Sequence, residues 1–119
     1  MTKQELTSLQ QTINQLTLRI GNIWDIDKPT SLAAYRSNWQ SLAEDFVSLD
    51  TLGDNENKST YLQQAQEVVD DLTEEDFKSR KDEVWAVSEK AGKLLMHIIV
   101  PLREKIKQKI LNQEFTNES

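Results

Sequence analysis

Apolar residues recur at alternating intervals of three and four positions through the first half of the chain. This spacing is the a/d heptad of an amphipathic helix, whose apolar stripe faces a core. Thr2 and Glu5 have the spacing of a capping box at the start of the first stripe, and Pro29 precedes the second. The pattern predicts helices over residues 2–24 and 30–52, and their similar lengths and short connection favour an antiparallel hairpin. The two stripes comprise Leu6, Leu9, Ile13, Leu16, Ile20 and Ile23, and then Leu32, Tyr35, Trp39, Leu42, Phe46 and Leu49.

The second half of the chain carries two further stripes, after a polar loop at residues 53–59. The first predicts a short helix over residues 59–72. Thr73 and Asp76 then resemble a second capping box, at the start of a longer helix. The apolar arc of this longer helix is wide, which is typical of a helix that several others contact, so we expect it to be central. The short stripe comprises Leu62, Ala65, Val69 and Leu72, and the wide arc comprises Phe77, Val84, Trp85, Val87, Ala91, Leu94, Leu95, Ile98 and Ile99.

Pro101 interrupts the most hydrophobic stretch of the chain, residues 94–102. A proline inside a helix donates no hydrogen bond to the carbonyl four residues earlier, here that of His97, and its ring crowds that turn. We therefore expect a sharp kink or a break near this proline, which divides the last segment into helices over residues 74–100 and 101–115. The apolar side chains beyond the proline would then be available for a role other than closing the core.

These elements predict an all-α fold, with residues 1–119 forming a single domain similar to a four-helix bundle. Composition agrees, because the chain has only three glycines and two prolines and its 37% of hydrophobic residues can form a small core. The absence of cysteine excludes disulfides and thiolate chemistry. The first residues lack the apolar run of a signal peptide and no apolar stretch is long enough to span a bilayer, so we expect a cytoplasmic protein without a membrane partner.

Charge is unevenly distributed along the chain, whose net charge is −6. Residues 31–76 carry two basic residues against eleven carboxylates, whereas residues 77–119 carry nine basic residues against six carboxylates. Either the acidic middle packs near the basic end and both are simply solvated, or one of them binds a partner of opposite charge. The basic run near the C-terminus contains no interleaved aromatic residue, so we expect no direct binding of nucleic acid.

The sequence contains no motif for catalysis or for a cofactor. Asp25 and Asp27 begin like a calcium-binding loop, but Pro29 stands where the next ligand should be. No Gly-x-Ser-x-Gly motif occurs, and three glycines do not make a phosphate-binding loop. We expect no catalysis, no metal and no cofactor. A metal-dependent nucleotide-processing helical enzyme is the third hypothesis. It ranks last because such enzymes use two acidic pairs, of which Glu67 and Asp70 supply only one.

His97 is the one histidine of the chain and has aliphatic neighbours in the sequence. Helical phosphotransfer domains follow their histidine with lysine at the third position and glycine at the fourth, where this chain has Val100 and Pro101. The pattern of such a domain is therefore absent. We interpret His97 as a neutral, hydrogen-bonded residue that is buried in the core or in a groove.

The three tryptophans have different predicted roles. Trp39 lies on the second stripe and is predicted to belong to the core. Trp24 and Trp85 lie one position beyond their stripes, so each either flanks the core or anchors a partner protein.

With catalysis unsupported, the sequence favours a small adaptor, inhibitor or immunity-type protein. It would bind another protein through an acidic surface, through the C-terminal amphipathic helix, or through both. The alternative is a homodimeric structural protein whose heptads pair with a second copy. The charged candidates for binding are Glu44, Asp45, Asp54, Glu56, Asp70 and Asp71, and the apolar candidates are Trp85, Leu102, Ile106 and Ile110.

Overall fold

Five helices and no strand occur in the residues that the structure, a computed structural model, describes, which are 1–22 and 31–114. The predicted all-α fold is therefore confirmed. Trp24, the predicted end of the first helix and the predicted start of the second lie outside the described residues, as does the predicted end of the last helix at residue 115. The helices are α1 (Lys3–Asn22), α2 (Leu32–Val47), α3 (Asn55–Asp70), α4 (Glu74–Ser79) and α5 (Lys81–Leu111).

Side-chain caps fix the starts of three helices. Thr2 and Glu5 form the predicted capping box of α1, in which each side chain accepts a hydrogen bond from the other residue's amide at 3.1 Å. The bond from the Thr2 amide is the main reason that the pKa of the Glu5 carboxyl is lowered. The hydroxyl of Ser31 caps α2 by accepting from the amide three residues later, at 3.2 Å. Thr73 and Asp76 form the second predicted capping box, at the start of α4.

α2 ends at Val47 rather than at residue 52, because a tight turn follows it. Leu52 and Gly53 adopt positive φ angles of 56° and 96° in this turn. The left-handed conformation costs glycine little free energy, whereas it costs a residue with a side chain, such as Leu52, roughly 1–2 kcal/mol. Asp50 offsets part of that loss, since its carboxylate accepts a hydrogen bond from the Leu52 amide at 2.8 Å. The turn lets α3 begin earlier than predicted.

α5 is the central helix, as its wide apolar arc predicts. It contacts α1, α3 and α4, while α2 packs against α3. Every described residue of the two predicted heptad stripes is buried in this arrangement. Burial of each large apolar side chain contributes about 1.5–3 kcal/mol, and these stripes supply about half of the buried hydrophobic residues.

α1 and α2 are not among the closely packed helix pairs. They meet at Arg19 in the last turn of α1, which forms an ion pair with Asp45 and a hydrogen bond of 3.3 Å with the Ser41 hydroxyl. Both partners lie in the second half of α2. In an antiparallel hairpin the end of α1 would lie beside the start of α2, so the structure does not show the predicted hairpin. The similarity to a four-helix bundle stays a prediction.

α5 runs unbroken through Pro101, so the predicted break at this residue is wrong. The helical segment is interrupted instead at Arg80, which lies between α4 and α5. The carbonyl of His97, which loses its helical donor, accepts a hydrogen bond from the side-chain amide of Asn57 at 3.4 Å. Apolar packing on both sides of the proline outweighs the cost of a proline inside a helix, which is about 3 kcal/mol. A kink at this position stays a prediction. The buried side chains around the proline are Leu95, Ile98, Ile99 and Leu102.

The C-terminal third of α5 closes the core rather than extending from it. Leu102 and Ile106 are 4% and 0% exposed, and Ile110 is partly buried against the core. The guanidinium of Arg103 donates to the Thr17 hydroxyl at 2.8 Å, which joins this segment to α1. The expectation that this apolar face is available to a partner is therefore wrong. An unbroken helix carries the same stripe past the proline, where α1 covers it.

Candidate interaction surface

The acidic candidates do not form one surface, because α3 separates them. Asp54 precedes α3 and Glu56 lies in its first turn, whereas Asp70 ends α3 and Asp71 follows it. Sixteen residues separate Asp54 from Asp70, which is about 24 Å along a helix that rises 1.5 Å per residue. The structure therefore divides the predicted acidic surface into two groups, one at each end of α3.

The group at the start of α3 lies among cations. The ammonium of Lys58 donates to the carbonyl of Val47 at 2.8 Å, which places the end of α2, with Glu44 and Asp45, beside the start of α3. Asp45 is paired with Arg19. These two cations reduce the negative potential around this group.

The other group surrounds the junction of α3 and α4. It consists of the junction carboxylates, which we define as those of Asp70, Asp71, Glu74 and Glu75. All four residues are exposed, and no ion pair to any of them occurs within residues 1–22 and 31–114. Residues 70–83 carry seven carboxylates against three basic residues. Glu74 and Glu75 lie in the first turn of α4, where the helix dipole favours carboxylates, and they also extend the acidic surface.

Gln66 connects the junction carboxylates to the core. The indole N–H of the buried Trp39 donates to the Gln66 side-chain oxygen at 2.7 Å, and the Gln66 amide donates to the Asp70 carboxylate at 2.8 Å. These bonds hold the carboxylate at the end of α3 in one orientation. Sequence analysis missed Gln66. A buried indole N–H requires an acceptor, but which glutamine supplies it depends on how α2 packs against α3.

Replacing Gln66 with alanine should lower the free energy of unfolding by about 1–3 kcal/mol, because the buried Trp39 N–H loses its acceptor. Urea denaturation measures this change. Gln63→Ala is the matched control, since Gln63 lies on the same helix and its side chain makes only an exposed bond of 3.5 Å to Glu67. Its effect should stay below about 0.5 kcal/mol. Equal losses in the two variants would contradict a stabilising role for the indole bond.

Trp85 remains a candidate for apolar contact with a partner protein, whereas Leu102 and Ile106 do not. More than half of the Trp85 surface, 53%, faces solvent, although tryptophan is highly buried on average. Trp85 lies in the second turn of α5, next along the chain to α4, and α4 packs against α5. Trp85 and the junction carboxylates therefore occupy the same end of the molecule.

His97 lies on the surface, so the prediction of a buried position is wrong. Its sequence neighbours Leu95, Ile98 and Ile99 face the core, but successive helical residues turn by about 100°, which directs His97 to the opposite side. Its imidazole stacks on the ring of Tyr61, with centroids 4.9 Å apart and an interplanar angle of 18°. Within the described residues no carboxylate is hydrogen-bonded to this imidazole, as the orienting partner of a catalytic base would be.

Metal ligands, membrane-spanning helices and known relatives are further indicators of what a chain does. Within the described ranges, no three His, Asp or Glu side chains are grouped as metal ligands would be. No helix in this part of the chain is long and apolar enough to cross a membrane. Comparison with protein-family models, with curated proteins and with solved structures finds no match to this chain.

Proposed function

We propose that the protein is a non-catalytic module that binds a basic surface of a partner protein through its junction carboxylates. One observation carries this proposal: the four carboxylates are exposed without an ion pair among the described residues, at an end of the molecule where negative charge is in excess. Uncompensated charge of this kind attracts an oppositely charged protein and orients it during encounter. An adaptor, an inhibitor or an immunity-type protein would each use such a surface.

Trp85 supplies the apolar part of the proposed interface. Exposed ion pairs contribute about 0–1 kcal/mol each and are weakened by salt, so carboxylates alone give weak binding. A tryptophan that becomes buried against a partner commonly contributes about 2 kcal/mol or more. Its position at the same end of the molecule allows one partner to contact both features.

A homodimer has less support than a complex with another protein. The heptad stripes are buried within a single chain, and Leu102 and Ile106 belong to its core. No described stripe therefore needs a second copy to cover it.

Capture of proteins from a lysate of the native host, with the immobilised full chain as bait, tests the proposal. We expect a basic protein to be retained by the unmodified chain and by a control variant, and to be retained about tenfold less by the junction variant and by Trp85→Ala. Quantitative mass spectrometry measures the amounts. The junction variant is Asp70→Asn, Asp71→Asn and Glu75→Gln, and the control, with the same change in net charge, is Glu44→Gln, Glu56→Gln and Glu104→Gln.

Salt provides the second readout of this experiment. Raising the ionic strength to about 0.5 M should release the partner, since exposed charges are then screened over a few ångströms. Equal capture by the junction and control variants would contradict the proposed site, and so would retention that salt leaves unchanged.

A further inference from the structure

A small cavity lies where the loop after α2, the start of α3 and the middle of α5 meet. Its volume is about 20 Å³, and one water molecule needs about 10–15 Å³ measured in this way. The cavity is partly open, since Pro101 and Lys105 are exposed, and an ordered water there requires two to four polar partners. The lining meets that requirement through Thr51, Asp54, Asn57 and Lys105, next to the apolar surfaces of Ile98 and Pro101.

The polar groups of the lining have hydrogen-bonding capacity beyond their bonds within the protein. The Asn57 amide carries two protons, of which one is directed to the His97 carbonyl over a long distance of 3.4 Å. Thr51 is 3% exposed, and its hydroxyl donates to the Asn55 side-chain oxygen at 3.0 Å, which leaves its oxygen able to accept. The cavity thus presents donors from Asn57 and Lys105 and acceptors from Thr51 and Asp54.

We infer that this cavity binds one ordered water molecule, which holds the Asn57 amide in the orientation that serves the His97 carbonyl. The water accepts from the second amide proton of Asn57 and donates to the Asp54 carboxylate or the Thr51 hydroxyl. The water has a structural role in α5 around Pro101. By fixing Asn57, the water supports the hydrogen bond to the His97 carbonyl, which replaces the bond that Pro101 cannot donate.

A crystal structure of the full chain at about 1.5 Å resolution tests the site directly. We expect a water peak within hydrogen-bond distance, about 2.7–3.2 Å, of the Asn57 side chain and of at least one of Thr51, Asp54 and Lys105. The peak should recur in every independent copy of the chain. An empty cavity, or one filled by the Lys105 side chain, would overturn the inference.

Thermal unfolding of single and double variants tests the role assigned to the water. Asn57→Ala should lower the melting temperature of the unmodified chain, and should lower it less in a Pro101→Ala background. The restored amide at position 101 then donates the helical hydrogen bond to the His97 carbonyl, so the bond from Asn57 is no longer needed. Thr51→Val keeps the side-chain shape but removes one water partner together with the bond to Asn55, so its loss should be smaller, though not zero, in the Pro101→Ala background. Losses that are equal in both backgrounds would show that the cavity does not serve the proline position.

Discussion

Replacing Ile106 with alanine should lower the free energy of unfolding by about 2–5 kcal/mol. The side chain is fully buried, 0% exposed, in the segment of α5 that lies beyond Pro101. Its removal costs the transfer free energy of three carbons and leaves a cavity that the surrounding structure fills only in part. Chemical denaturation followed by circular dichroism measures the change.

Leu111→Ala is the matched control for this experiment. Leu111 lies at the end of the same helix and is 64% exposed, so its truncation should change the free energy of unfolding by less than about 0.5 kcal/mol. Light scattering on both variants separates a core role from an interface role. If Ile106→Ala kept its stability but converted a dimer to a monomer, the assignment of this segment to the core of one chain would be refuted.

Raising the pH from about 10 to about 12 should lower the free energy of unfolding by about 2 kcal/mol through Tyr35 alone. Tyr35 is 1% exposed, and this burial raises the pKa of its hydroxyl from 10.0 to about 12. The unfolded chain, in which the hydroxyl is solvated, therefore loses the proton first. The stabilising contribution is complete below pH 10 and disappears as the pH rises toward 12.

Tyr35→Phe isolates this contribution from every other titrating group. The hydroxyl of Ser88, 2.8 Å from the Tyr35 oxygen, donates to the carbonyl of Val84 at 2.7 Å and keeps that bond in the variant. The edge-to-face packing against Phe77, with centroids 5.5 Å apart, is also preserved. Urea unfolding of both proteins at several pH values between 9 and 12 gives the difference. If the two curves fell in parallel, the pKa of Tyr35 would not be coupled to folding.

The heptad stripes could be predicted from the sequence because helical periodicity depends only on backbone geometry. Their partners could not be predicted. The stripes of α1 and α2 have the same spacing and are both largely apolar, so either could cover the other. Only the assembled structure shows that α1 packs against α5. Complementary shape across the whole core, rather than any local pattern, decides this choice.

Pro101 shows how a distant residue can override a local rule. The lost hydrogen bond and the crowded turn, which predict a break from the sequence, both lie within five residues of the chain. The compensation comes from Asn57, forty positions before His97, and from apolar packing around the proline. His97 is different, because plotting its position around the helix would have placed it on the surface without any structure.

The candidate surface was predicted in part. Charge density along the sequence indicated an acidic region, and Asp70, Asp71 and Trp85 lie at the end of the molecule that we propose to bind a partner. The division of the acidic residues by α3, the pairing of Asp45 with Arg19, and the role of Gln66 all depend on how helices are placed side by side. Such relations have no signature in the spacing of residues along one chain.

The bond between Thr17 and Arg103 has a consequence for synthesis on the ribosome, because 86 residues separate its two partners. At about 5–20 residues per second, translation reaches the second partner roughly 4–17 s after the first. During that interval the apolar stripe of α1 has emerged while the C-terminal part of α5, which it covers, does not yet exist. The apolar face of α1 is therefore uncovered in the nascent chain and is available for a chaperone to bind. A chain truncated within α5 would leave this face exposed permanently.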